Sequence, residues 1–283
     1  MADKLYIIGN GFDLHHGLKT SYGNFRDNYA KSKTQFWHLL YQVYGDELSK
    51  DMWWWNFEEM LGNVDYQHLK DSINGEALGS NIVKKLLGNE IPVSMGEWIQ
   101  EVEKTAKPKK LVSLDPDALF FTFNYSLVLE NVYSISKSNV WHIHNSLIDY
   151  NNGENPIVGH DFDFGQLTKQ LSEYEKTHPH IRNYFVELMN EEIANGAKKA
   201  KNRIQLSNGR FASLYSGIKR YVVMGFSFND IDMPYIEEIV KVNNDIQSAY
   251  WEVYWYSDDE GKKMLERLKR LGIKEEKVKL TEW

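Results

Sequence analysis

The chain has 283 residues, a formal net charge of −7, 42% hydrophobic and 26% charged residues, and no cysteine. That composition describes a folded globular protein and excludes disulfides, thiolate zinc sites and a chain built mainly to grip nucleic-acid backbones. No stretch reaches the ~18 consecutive apolar residues of a membrane span, and Met1-Ala2-Asp3-Lys4 leads into no long apolar run of the signal-peptide kind. A cytoplasmic protein with no membrane partner is therefore expected.

Leu5-Tyr6-Ile7-Ile8 is a short apolar run stopping at glycine, the pattern of a buried strand. From Phe36 to Leu87 the chain reads helical, includes Trp53-Trp54-Trp55, and shows no strand. A helical insertion over about 36–105 is expected there. Its clearest helix is Ser94 to Lys104, where Met95, Trp98, Ile99 and Val102 share one face. Ala118 to Phe123 predicts a second strand and Asn139 to His144 a third. A second, charged helical insertion is expected over about 166–218. Arg220 to Met224 predicts a fourth strand and Ala249 to Tyr256 a fifth. Between those two, Asp232 to Val242 has a helix-start Asp and an early Pro. Ser257-Asp258-Asp259-Glu260 starts the last helix in capping-box fashion, and Gly272 stops it. Two basic runs, Lys107 to Lys110 and Lys198 to Arg203, read as solvated faces.

Strands alternating with helices predict a single α/β domain with a mostly parallel, doubly wound, Rossmann-like sheet carrying helical insertions. Four strand ends carry residues suited to chemistry. Gly9-Asn10-Gly11-Phe12-Asp13 is part of a phosphate-binding fingerprint, with Leu14 where a third glycine would stand. A tight turn and a ligand loop both fit it. Thr122-Phe123-Asn124-Tyr125-Ser126 presents amide and hydroxyl groups at the carboxyl edge of the sheet, or forms an ordinary turn. In Trp141-His142-Ile143-His144-Asn145 the two imidazoles fall on one side if the strand continues, which suits a general base with a supporting histidine or two metal ligands. Gly225-Phe226-Ser227-Phe228-Asn229-Asp230-Ile231-Asp232 offers backbone amides and Ser227 to a ribose or phosphate, and also helix-capping groups.

Taken in order, these segments resemble the AbiH family, associated with bacterial abortive infection against phage. The resemblance rests on Ile8 to Leu14, His16-Gly17-Leu18, Trp55-Asn56-Phe57-Glu58, Thr122 to Tyr125, His142-Ile143-His144 and Gly225 to Tyr235. Asn145 stands where the family usually has glycine. The same order is more distantly similar to sirtuin-like NAD-binding folds. That similarity implies a phage-defence effector that binds NAD or a related small-molecule nucleotide and hydrolyses its nicotinamide–ribose bond. By motif, Asn124 would hold a ribose hydroxyl or water and His144 would accept a proton; Asp13, just past the glycine turn, suits stabilising the developing cation or capping the helix. Gly9, Asn10, Gly11, Phe12, His142, Gly225 and Ser227 would line the nucleotide, with no metal required. Glu58 is a weaker carboxylate candidate. Two other readings stay open. One is a metal-dependent phosphoesterase or nuclease using His142, His144, His160 and Asp161, with Asp163 close by; the other is a non-catalytic nucleotide sensor. Nucleic acid is not an expected partner, and a homo-oligomer is compatible with the sequence.

Overall fold

The computed structural model describes residues 2–72, 76–160, 176, 190–207 and 209–283. Six strands form one sheet: β1 (Lys4–Ile8), β2 (Leu119–Thr122), β3 (Val140–His142), β4 (Arg220–Met224), β5 (Tyr250–Trp255) and β6 (Val278–Glu282). All neighbours pair in parallel, in the order β3-β2-β1-β4-β5-β6. The fold is thus α/β with an all-parallel, Rossmann-like sheet. Strand order reverses between β1 and β4, the point at which open α/β sheets bind ligands beyond their carboxyl ends. Ile8 lies opposite both Thr122 and Met224, so the loops after β1, β2 and β4 leave the sheet at one level.

The chain divides into two compact units, Met1–Thr20 with Ile99–Asn152 and Lys199–Trp283, and Ser21–Trp98 with Gly153–Lys198. The sheet belongs to the first. On one face Leu5, Ile7, Phe121, Tyr221, Val223, Trp251 and Val253 pack with Phe211, Tyr235, Ile236, Ile239, Met264 and Leu268 in a single core cluster. Each such side chain contributes about 1.5–3 kcal/mol when removed from water. The helices that supply the cluster are Arg210–Tyr215, Met233–Val242 and Asp258–Arg270. The last has half of the expected capping box: Ser257 accepts a hydrogen bond from the Glu260 amide, but the Glu260 carboxylate accepts from the Tyr256 amide instead, and Gly272 follows with φ +83°.

The second unit is helical, as expected of its tryptophan-rich segment. Phe25, Trp53, Trp54, Phe57 and Trp98 form an aromatic cluster, with Trp54 stacked on Phe57 at 5.5 Å. Trp53 and Trp54 are buried, whereas Trp55 is 75% exposed. The Lys198–Arg203 run departs from expectation. Lys199 and Lys201 are exposed, but Lys198 is buried in an ion pair with Glu58 at 2.8 Å. Glu58 thus serves as the acid of that pair in this unit. Within the insertion expected over 166–218, helices occur at Ala200–Leu206 and Arg210–Tyr215; most of its earlier part lies outside the described residues.

Two strands correct the sequence reading. β3 ends at His142, not His144, because the chain turns at Asn145, whose φ is +63°. β6 was not expected at all. Among the described residues no helix is long and apolar enough to cross a membrane.

Candidate functional site at the carboxyl edge

The glycine turn is built for a close backbone crossing. Gly9 donates its amide to Met224 O at 3.0 Å, Gly11 donates to Gly225 O at 2.9 Å, and Phe12 donates to Gly9 O at 3.0 Å. A Cβ on Gly9 would stand 2.5 Å from Gly225 O. Gly225 has φ +65°, and a Cβ there would stand 2.1 Å from the Phe12 nitrogen. These glycines therefore join the loops after β1 and β4 at the point where the strand order reverses. The helix that follows, Asn10–His15, has only six residues and no side-chain cap. With these three turn amides engaged internally, none of them is left to bind a phosphate. The exposed Asn10 ties its amide to Thr20 O at 2.9 Å, and Tyr256 donates its hydroxyl to Gly11 O at 3.0 Å. Phe12 is buried beside His16 and Tyr133.

The turn carries Asp13 inward, where it is 2% exposed. Its Oδ1 accepts from Asn124 Nδ2 at 2.9 Å and its Oδ2 from Ser126 Oγ at 2.5 Å. Burial lifts this carboxyl from 3.8 to about 7, against the lowering pull of the bonds from Ser126 and Asn124. Asn124 is positioned by the end of β2: its amide N–H donates to Thr122 Oγ1, and its Nδ2 also donates to Gly9 O at 3.1 Å. Two acceptors facing Nδ2 fix the orientation of the amide. Asn124 Oδ1 is left buried with no hydrogen-bond partner, an arrangement that native proteins seldom leave without a reason. Asp13, Asn124 and Ser126 thus meet at one point, from loops more than a hundred residues apart.

The two histidines of His142-Ile143-His144 part company. His142 Nδ1 lies 2.8 Å from Asn124 O, and its Nε2 lies 2.9 Å from Glu130 Oε1. Both partners are acceptors, an arrangement that favours the protonated ring, in which both nitrogens donate. Burial works against that charge, but the bond to Glu130, its charge and the Asn124 carbonyl outweigh it and hold His142 above its ordinary value. Glu103, whose carboxyl burial pushes upward, accepts from the Leu127 amide beside this cluster. His144 faces the other side, with its ring against Phe123 and Tyr235 and its Nε2 3.4 Å from Asp232 Oδ1. Convergence of the imidazoles fails because β3 has already ended.

Among the described residues no group of three or more His, Asp or Glu is placed to hold a metal ion. Both nitrogens of His142 are engaged. His160 directs Nε2 at Ile193 O, with burial lowering it to about 4, and Asp161 and Asp163 lie outside the described residues. Ser227 is exposed on the loop after β4, and Asn229 accepts from the Asp232 amide, closing the turn before the next helix. Away from these residues, Tyr6, Val222, Glu252 and Tyr254 line a groove of about 800 Å³ on the other face of the sheet.

The family described as bacteriophage abortive infection AbiH matches residues 5–85 and 80–255. The chain belongs to the AbiH family. That membership makes it a protein of phage abortive infection, and the matched span takes in every strand-end segment above. No curated protein and no solved structure matches the chain. The positive φ of Asn145 suits its residue type, because asparagine tolerates the left-handed region better than most residues. Ser126, Glu103 and Glu130 were not among the sequence candidates. Ser126 lay inside a flagged motif but had no visible acid partner, and the two glutamates join only through tertiary contact.

Proposed function

We propose that this AbiH protein binds NAD or a related nucleotide at the carboxyl edge of the sheet and hydrolyses the bond between nicotinamide and ribose. The observation that carries the reading is the buried Asp13–Asn124–Ser126 cluster beside the strand-order reversal. Both hydrogens of the Asn124 amide are committed, so its open Oδ1 is the acceptor for a ribose hydroxyl or a water. In the reaction, water adds to the anomeric carbon. The carbon–nitrogen bond breaks, and nicotinamide leaves with the bonding pair. Asp13, with its carboxyl near 7, suits the water's proton as acceptor, and its anionic form stabilises the oxocarbenium-like state. His144, oriented by Asp232, is the alternative acceptor on the far side of the edge.

Asp13 and Asn124 are 2% and 7% exposed, which fits a site that stays shut until it is engaged. The test is nicotinamide release from NAD, followed by chromatography, with protein from resting and phage-infected cells. The proposal predicts release by the wild type that falls by about a hundredfold or more in Asn124→Ala and Asp13→Asn. No release by protein active in defence, or wild-type rates in both variants, would sink it.

A further inference from the structure

Between Glu192 and Asp230 the sequence carries seven cations, from Lys198 to Arg220, and no acid. In a chain of net charge −7 that is a strong local asymmetry. Two of these residues stand beside β3. Arg203, on the helix Ala200–Leu206, is half-buried and directs Nη2 at Ile143 O across 3.4 Å, a long contact. Its Nε is buried with no hydrogen-bond partner, and no carboxylate pairs with it among the described residues. Arg210 sits over the Trp141 ring, with its guanidinium carbon 4.1 Å from the ring centre. A guanidinium held over an aromatic face keeps N–H donors for other partners. Trp141 lies in β3 and Ile143 just past its last residue, so both arginines attend the carboxyl end of that strand.

A partly buried arginine is ordinarily matched with a carboxylate, because a guanidinium withdrawn from water with its donors unmet is unfavourable. Arg203 has a backbone carbonyl at long range and an unfilled Nε. At the glycine turn the amides of Gly9, Gly11 and Phe12 are spent on internal bonds and offer the anion of the proposed ligand no donor.

We propose that Arg203, with Arg210 beside it, forms the phosphate-binding site of this protein, at the carboxyl end of β3 rather than at the glycine turn. The ligand class is a pyrophosphate-bearing nucleotide, held by the planar fork of Arg203. This inference rests on the nucleotide reading above but not on hydrolysis.

The experiment is calorimetric titration of the full chain with inorganic pyrophosphate and with ADP-ribose at low salt, for the wild type, Arg203→Ala, Arg203→Lys and Arg210→Ala. Binding of both ligands by the wild type is expected. Arg203→Ala should weaken it about tenfold or more, and Arg203→Lys should recover only part, since charge is kept and the fork is lost. Arg210→Ala should have a smaller effect. Thermal unfolding without ligand should match the wild type in Arg203→Lys, which separates binding from folding. Unchanged affinity in Arg203→Ala, or no binding of either ligand by the wild type, overturns the proposal. Duplex DNA bound through Arg203 in place of pyrophosphate overturns the ligand class. NAD cleavage with unaltered KM in Arg203→Ala would leave the hydrolase standing and remove this site. Arginine-dependent pyrophosphate binding without NAD cleavage would do the reverse.

Discussion

Replacing Asp13 with asparagine removes a proton equilibrium from the centre of the site and leaves its volume nearly unchanged. The amide oxygen of the variant still accepts from Asn124, and its N–H donates to the Ser126 hydroxyl, which accepts as readily as it donates. Burial raises the Asp13 carboxyl from 3.8 to about 7 in the folded chain. A carboxyl raised on folding contributes stability while protonated, fully present below the unfolded value and lost as pH climbs through the folded one. The window therefore runs from about pH 4 to about pH 7, and the loss across it is at most about 4 kcal/mol, or roughly 1.4 kcal/mol per pH unit. Urea unfolding at a series of pH values, wild type against Asp13→Asn, isolates this contribution because Glu103 and His142 titrate in both proteins. The stability of the wild type should fall relative to the variant between pH 5 and 7 and run parallel above it. A constant offset from pH 5 to 8 would refute the reasoning and show Asp13 ionised throughout.

Gly225→Ala should destabilise the fold by about 3 kcal/mol or more, since its Cβ meets backbone that cannot step aside and its φ is positive. Gly217→Ala, where a Cβ meets nothing within 4 Å, is the matched control and should be neutral or slightly stabilising in thermal unfolding. Equal losses at the two positions would contradict the loop-crossing explanation. Glu130→Gln removes the anion facing His142 Nε2, so the imidazole should titrate at lower pH in nitrogen-detected NMR. An unmoved titration would show that Glu130 is not what charges the ring.

Much of the sheet was legible because burial leaves a local mark. Leu5-Tyr6-Ile7-Ile8 and Arg220 to Met224 are apolar runs stopped by glycine, and central strands covered on both faces need no more specification than that. β6 escaped because Val278-Lys279-Leu280-Thr281-Glu282 alternates with charge, as a half-exposed edge strand does. The imidazoles of His142 and His144 do not converge for a related reason. Alternation holds only while the strand lasts, and Asn145 takes a left-handed turn that the letters His-Ile-His do not announce. The site was legible as residues but not as bonds. Asn124 and Asp13 stood out by motif, whereas their contact depends on the pairing of β1 with β2 across more than a hundred residues. The first glycine turn reads as room for a phosphate and Gly225 as a nucleotide contact, whereas what approaches both Gly9 and Gly225 in the fold is a second loop of the same chain.

The central claim is that a nucleotide is held at the carboxyl edge. A crystal structure of the protein with ADP-ribose tests it most directly. The expected result is a ribose hydroxyl within hydrogen-bond reach of Asn124 Oδ1, close to Asp13, with the pyrophosphate on Arg203. A ligand seated instead in the groove lined by Tyr6 and Tyr254, or an empty edge under saturating ADP-ribose, would contradict it.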